Sequence, residues 1–151
     1  MNILSDIADI FSIFHDGRIV AFEENAEGLQ LTIECQYLAE RINPKHEWFY
    51  VELLGVEKLE FEIWPNPITL PIQIFTRSKE IFQAELEILS AEIIGNDVRI
   101  TCNQHNTNYD YCGGNVFLNC NTIKIYDQDK NELPIDFMDK ICNEYWNRAN
   151  D

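Results

Sequence analysis

His15 and Asp16 stand side by side, followed by Gly17, and are the first pairing in the chain whose side-chain types could do chemistry. A histidine beside a carboxylate can act as a general acid–base pair or supply two metal ligands. Neighbours in sequence point to opposite faces of a strand, however, and Asp-Gly is a common turn pair. A backbone-bonded, structural His15 is therefore expected, with acid–base or metal chemistry at His15 and Asp16 as the alternative. His105, Asp110 and Cys112 fall in a polar stretch from His105 to Gly114. Their types could join His15 at zinc, but the spacing matches no closed site, so no metal and no cofactor is expected. The same stretch holds Tyr109 and Tyr111 among asparagines and glycines, a composition suited to a recognition loop.

Carboxylates form the third group: Glu52, Glu57, Glu60, Glu62, Glu85, Glu87 and Glu92, with no Lys or Arg between Glu80 and Asp97. Paired carboxylates can do acid–base work. These alternate with apolar positions, as the solvated face of a strand does. A plain solvated face is the first expectation, and among functional uses a surface for a basic partner suits them better than acid–base work. Glu57, Glu60, Glu62, Glu85 and Glu87 are the candidate contacts, with Tyr109 and Tyr111 as anchors. Gly113-Gly114 leads into a strand-like run and lacks the lysine of a phosphate-binding loop. No serine elbow, kinase signature, HExxH or dinucleotide fingerprint occurs.

The elements that must position these groups are legible from periodicity. Ile3, Leu4, Ile7, Ala8 and Phe11 recur at helical spacing behind Asn2, a capping residue type. Arg18–Phe22 and the alternating Leu29, Leu31, Ile33 and Cys35 predict a hairpin about the turn Asn25–Gly28. Trp48–Leu54 and Val56–Trp64 read as two strands around Gly55, the second turning Lys58, Glu60 and Glu62 outward. Pro65, Pro67 and Pro71 break regular structure and suit a sheet edge or crossover. Ser78–Gln83 suits a helical turn. Glu85–Ile94 and Val98–Gln104 flank the turn Gly95-Asn96-Asp97. Val116–Tyr126 changes apolar phase after Cys120, which predicts a bulge near Asn121. Asp127–Asn131 reads as a turn. Pro134 and Asp136, as first-turn residue and cap, open a helix to about Trp146. Its stripe is Met138, Ile141, Cys142 and Tyr145, and Arg148 stands near its negative end.

These elements predict one α+β domain over residues 1–151. It is a mainly antiparallel sheet of six to eight strands, a sandwich or partly open barrel, with the C-terminal helix packed on it. Apolar residues make up 46% of the 151, enough for a packed core. Lys and Arg number 11 against 26 Asp and Glu, a net charge of −15 that repels nucleic acid and anionic lipid and attracts a basic partner. Five cysteines without CxxC spacing suit free thiols in a reducing cytoplasm. The segment Met1–Phe14 holds Asp6 and Asp9 and no Lys or Arg, unlike a signal peptide. No apolar run reaches membrane-spanning length.

Phe14-His15-Asp16-Gly17, the strand Leu29–Cys35, Gly113-Gly114 followed by Ile123-Lys124-Ile125-Tyr126-Asp127, and Tyr145-Trp146 together carry a resemblance. The chain resembles uncharacterised small bacterial proteins of an FHD type, similar to immunity proteins of polymorphic toxin systems. That resemblance implies a cytoplasmic, non-enzymatic inhibitor of a toxin, such as a nuclease with a basic cleft. It transfers no catalytic residue. A small His15/Asp16 enzyme and a structural subunit without a basic partner stay open beside it, as does the oligomeric state.

Overall fold

Asn2 accepts the Leu4 amide on Oδ1 at 3.0 Å and so opens α1, Ile3–Ile13, as its place before the apolar run predicts. The computed structural model describes residues 2–149; the side chain of Arg148 lies outside the described residues. Beyond α1, strands β1 (Arg18–Glu24) and β2 (Gly28–Glu34) form the expected hairpin, with Asn25 Oδ1 accepting the amides of Glu27 and Gly28. A helix the periodicity did not announce, α2 (Gln36–Ile42), follows. Cys35 therefore sits just before a helix rather than inside a strand.

Trp48–Pro65 is one strand, β3, where two were expected. Gly55 does not end it, because its φ of 59° lets the chain kink and continue. The short edge strand β4 (Ile74–Phe75) pairs with β3 and bears out the reading of the proline segment as leading to a sheet edge. Then come the turn helix α3 (Ser78–Ile81), the hairpin β5 (Leu86–Ile94) and β6 (Asp97–Asn103), and the long β7 (Tyr111–Tyr126). β7 begins five residues earlier than the sequence suggested. A two-residue strand, β8 (Glu132–Leu133), and the helix α4 (Ile135–Ala149) close the order. The Pro134 carbonyl accepts the Met138 amide at 3.2 Å, so Asp136 lies inside the first turn and complements the dipole without capping.

All pairings are antiparallel, in the order β4-β3-β2-β1-β5-β6-β7-β8. β3 also pairs with β7 along nearly its whole length, which curls the sheet into a ring. The ring is not a regular barrel, because β1 meets β5 only at Arg18↔Glu87 and Ile19↔Leu86. The phase reset in β7 falls at Asn121, opposite Gly55, as the apolar pattern required. The extra residue belongs to the neighbouring strand: between Val56↔Cys120 and Lys58↔Asn119 it is Glu57 that has no partner.

The inward face of the sheet and the buried side of α1 (Ile7, Ile10, Phe11) share one core with Phe14, Phe49 and Phe61. α1 lies against β5, β6 and β7, while α4 joins the core chiefly by way of α1 and α2. Among the described residues no helix is long and apolar enough to cross a membrane.

Two outcomes follow from the helix layer. Ile141 is buried in the α4 stripe beside Met138 and Cys142, so Ile141→Ala should lower unfolding free energy in urea by about 2–5 kcal/mol. Where α1 meets α4, burial pushes the Asp9 carboxyl up to about 6 from 3.8, helped by hydrogen bonding and repulsion from Asp139. A carboxyl that holds its proton more tightly when folded contributes stability below its unfolded value of 3.8 and loses it as pH rises through about 6. Asp9→Asn should therefore remove that decline and raise the unfolding midpoint at neutral pH, measured against wild type across this range.

Candidate functional site

His15 and Asp16 form the corner that carries α1 into β1. The half-buried His15 ring stacks on Trp146, with centroids 4.9 Å apart at 27°, and Nδ1 donates to the Ser12 carbonyl at 2.8 Å. The His15 carbonyl accepts the Tyr37 hydroxyl at 2.9 Å. Asp16 is exposed with φ 68°, and its amide donates to the Ile88 carbonyl at 2.7 Å. The pair thus serves the fold, because these contacts tie α1, β5, α2 and α4 together at one point. His15→Ala should cost about 1–2 kcal/mol through the lost stack and hydrogen bond. It should lower the melting temperature and leave the metal content of the purified protein unchanged; loss of a stoichiometric zinc on mutation would show a ligand instead.

The second group is divided. His105 is exposed and donates from Nε2 to Glu87 at 3.2 Å, while Asp110 and Cys112 lie at the far end of β3. There the Asp110 carbonyl accepts the Asn66 amide at 2.8 Å, and Cys112 Sγ lies 3.7 Å from the Trp64 carbonyl. Among the described residues no three His, Cys, Asp or Glu side chains are grouped to hold a metal ion. The remaining histidine, His46, is 5% exposed and donates to Asp129 at 3.1 Å, fastening the turn Asp127–Asn131 to the segment before β3.

The acidic residues also separate into two sets. Arg18 bridges Glu34 and Glu85, the latter at 3.0 Å, and so clips the narrow β1–β5 seam. Beside it, hydrogen bonds from His105 and then Asn103 hold the Glu87 carboxyl below its usual range. Glu92 pairs with Arg99. Glu57 is different: it stands exposed at the bulge. Glu60 and Glu62 lie half-buried on the outer face of β3, in line with Lys58 and Trp64. Lys58 is held by Asp97 at 3.0 Å, and among the described residues Glu57, Glu60 and Glu62 have no ion-pair partner.

The tyrosines part company as well. Tyr109 is half-buried, its hydroxyl donating to the Gln83 carbonyl at 3.3 Å. Tyr111 is 5% exposed and sits edge-on to Phe61 and Phe75 at 6.0 and 5.7 Å. Its hydroxyl accepts from Gln83 Nε2 at 3.1 Å. The register shift between Ile63↔Gly114 and Pro65↔Tyr111 changes the phase of β7, so Tyr111 turns inward although the buried positions that follow, Val116, Leu118 and Cys120, are even-numbered. It belongs to the core and is not a surface anchor.

The apolar surface lies instead in the segment Pro65–Ile74, which carries no charge. Ile68 is 88% exposed and Ile72 65%, with Leu70 and Ile74 also exposed. Leaving an isoleucine in water forgoes about 1.5–3 kcal/mol, and contiguous apolar exposure of this kind marks an interaction surface. The segment is held by backbone bonds from Leu70 to Pro67 at 3.0 Å and from Ile63 to Gln73 at 3.1 Å. Between it and the ends of β3 and β7 lies a cleft of about 670 Å³, lined by Glu62, Trp64, Pro67, Ile68, Ile72 and Cys112. Sequence reasoning saw only three prolines here. The available signal was the alternation of Ile68, Leu70, Ile72 and Ile74 without a charge among them. No family model matches the chain, and no curated protein or solved structure matches it.

Proposed function

We propose that this chain is a non-enzymatic binding protein of the immunity type, which neutralises a basic toxin by covering it with an acidic and apolar surface. The observation that carries the reading is the exposed, uncharged segment Pro65–Ile74 beside the unpaired carboxylates Glu57, Glu60 and Glu62. A toxin that acts on nucleic acid has a basic cleft, and this charge pattern complements one. The net charge of −15 disfavours nucleic acid and anionic membrane as partners. The unpaired thiols suit the reducing cytoplasm, where such an inhibitor meets its toxin.

Carboxylates at the rim raise the association rate, while apolar anchors hold the complex. The test is binding kinetics against the inactivated product of a toxin gene adjoining this one. Glu60→Lys with Glu62→Lys should slow association about tenfold at low salt and flatten its salt dependence, with little change in dissociation. A neighbourhood without a toxin gene, together with no basic protein retained on the immobilised chain at low salt, would remove the immunity reading.

A further inference from the structure

Resting on that reading, we infer that the cleft between Trp64 and the Pro65–Ile74 segment takes one particular kind of ligand: an extended stretch of the partner with an aromatic or large aliphatic side chain and an Arg or Lys two residues away. The walls of the cleft are mostly apolar, with Asn66 polar and Glu62 the one charged residue, so an uncharged side chain fills it. Glu62 stands at its rim, and Glu60 follows two positions along the same outer face of β3. Alternate residues on a strand lie about 7 Å apart, the same step as positions i and i+2 of an extended peptide. A cation two residues from the anchor thus reaches a carboxylate when the anchor is seated. Arg has a further surface in the Trp64 ring.

Charge argues against a second copy as the occupant. Pro65–Ile74 contains no Lys or Arg to answer Glu60 and Glu62, and two chains of −15 repel. The backbone argues against added-strand pairing, because Pro65, Pro67 and Pro71 have no amide to donate. Recognition at this site runs through side chains.

The probe is the capped peptide Arg-Gly-Trp-Gly-Arg, with Glu-Gly-Trp-Gly-Glu and Arg-Gly-Gly-Gly-Arg as controls. Isoleucine methyl signals of the whole protein report binding at Ile68 and Ile72. Alkylation of Cys112, the exposed cysteine on the cleft wall, reports occlusion, since the other four cysteines are buried. The first peptide should shift both methyl signals saturably and slow Cys112 alkylation, and each control should bind about tenfold more weakly. Ile68→Ser with Ile72→Ser changes exposed positions, so the fold should persist while the saturable shift disappears. Glu62→Gln should narrow the gap between the Arg and Glu peptides. Equal binding of those two peptides, or no saturable shift at millimolar concentration, overturns the inference. So does the same pattern of shifts with neutral phosphatidylcholine vesicles, or methyl protection that follows self-association. A silent cleft together with retained, salt-sensitive toxin binding sinks the pocket alone; loss of both sinks the binding reading too.

Discussion

The pairing of β3 with β7 is the constraint from which the rest of the molecule hangs. It runs from Tyr50↔Tyr126 to Pro65↔Tyr111 and joins segments far apart in the chain. β2 and β4 add to one edge of β3, β6 and β8 to β7, and the ring follows once β5 reaches β1. Such non-local pairing carries a loop-closure cost that local contacts do not, and the long ladder offsets it with many paired residues where the seam at Arg18 and Ile19 has two. Gly55 and Asn121 face each other at the point where both strands change the side they bury. A residue with a Cβ at Gly55 would strain its positive φ and strike the Asn121 side chain. The two halves of the ladder can therefore wrap different parts of the core without breaking register.

Alternation was the readable part of this fold. Leu29 to Ile33, Phe61 to Ile63 and Val98 to Cys102 bury every second residue as their spacing required, and the stripes of α1 and α4 face the core, with Ile7, Phe11, Met138, Ile141 and Cys142 buried and Ile3, Leu4, Ala8 and Tyr145 half-buried. What resisted reading was set by tertiary contacts. α2 is seven residues long with only Leu38 and Ala39 buried, too little for a period, and no side-chain cap announces it. Tyr111 to Gly114 has the composition of a loop. It is strand because Gly113 and Gly114 let the neighbouring backbones approach closely: a Cβ at Gly113 would strike the Cys102 carbonyl oxygen and one at Gly114 the Glu62 carbonyl oxygen. The register shift beside these glycines turns Tyr111 inward, while Tyr109, ahead of the strand, is half-buried. At the candidate site the outward Glu60 and Glu62 were legible from period two, but the engagement of Glu85 by Arg18 and Glu87 by His105 required the fold.

Cations are scarce in this chain, and their placement is informative. Arg18 joins β2 to the start of β5, Arg99 pairs along the β5–β6 hairpin, and Lys58 ties β3 to Asp97 at the start of β6. Exposed pairs of this kind contribute little stability each. Their effect is to neutralise the carboxylates that face neighbouring strands and leave those at the end of β3 uncompensated. Those carboxylates stand beside the cleft and the apolar segment, and on the proposed reading they would steer a basic partner toward the residues able to hold it.

An exposed run alternating Ile68, Leu70, Ile72 and Ile74 would ordinarily be a hazard, since free apolar strand edges recruit other chains. Two features of the same segment oppose that outcome. Pro65, Pro67 and Pro71 remove the amides that an added strand would need, and β4 offers only two residues of regular edge. The surrounding carboxylates then repel a second acidic copy at the distances where side chains would begin to touch. What is left is a surface that suppresses backbone pairing and self-contact yet keeps four aliphatic side chains in water. Solubility alone would favour replacing those side chains with polar ones, because their exposure stabilises nothing within this chain. On the binding reading proposed above, these side chains are what a cationic partner would cover, and the neighbouring carboxylates would favour it over an acidic one.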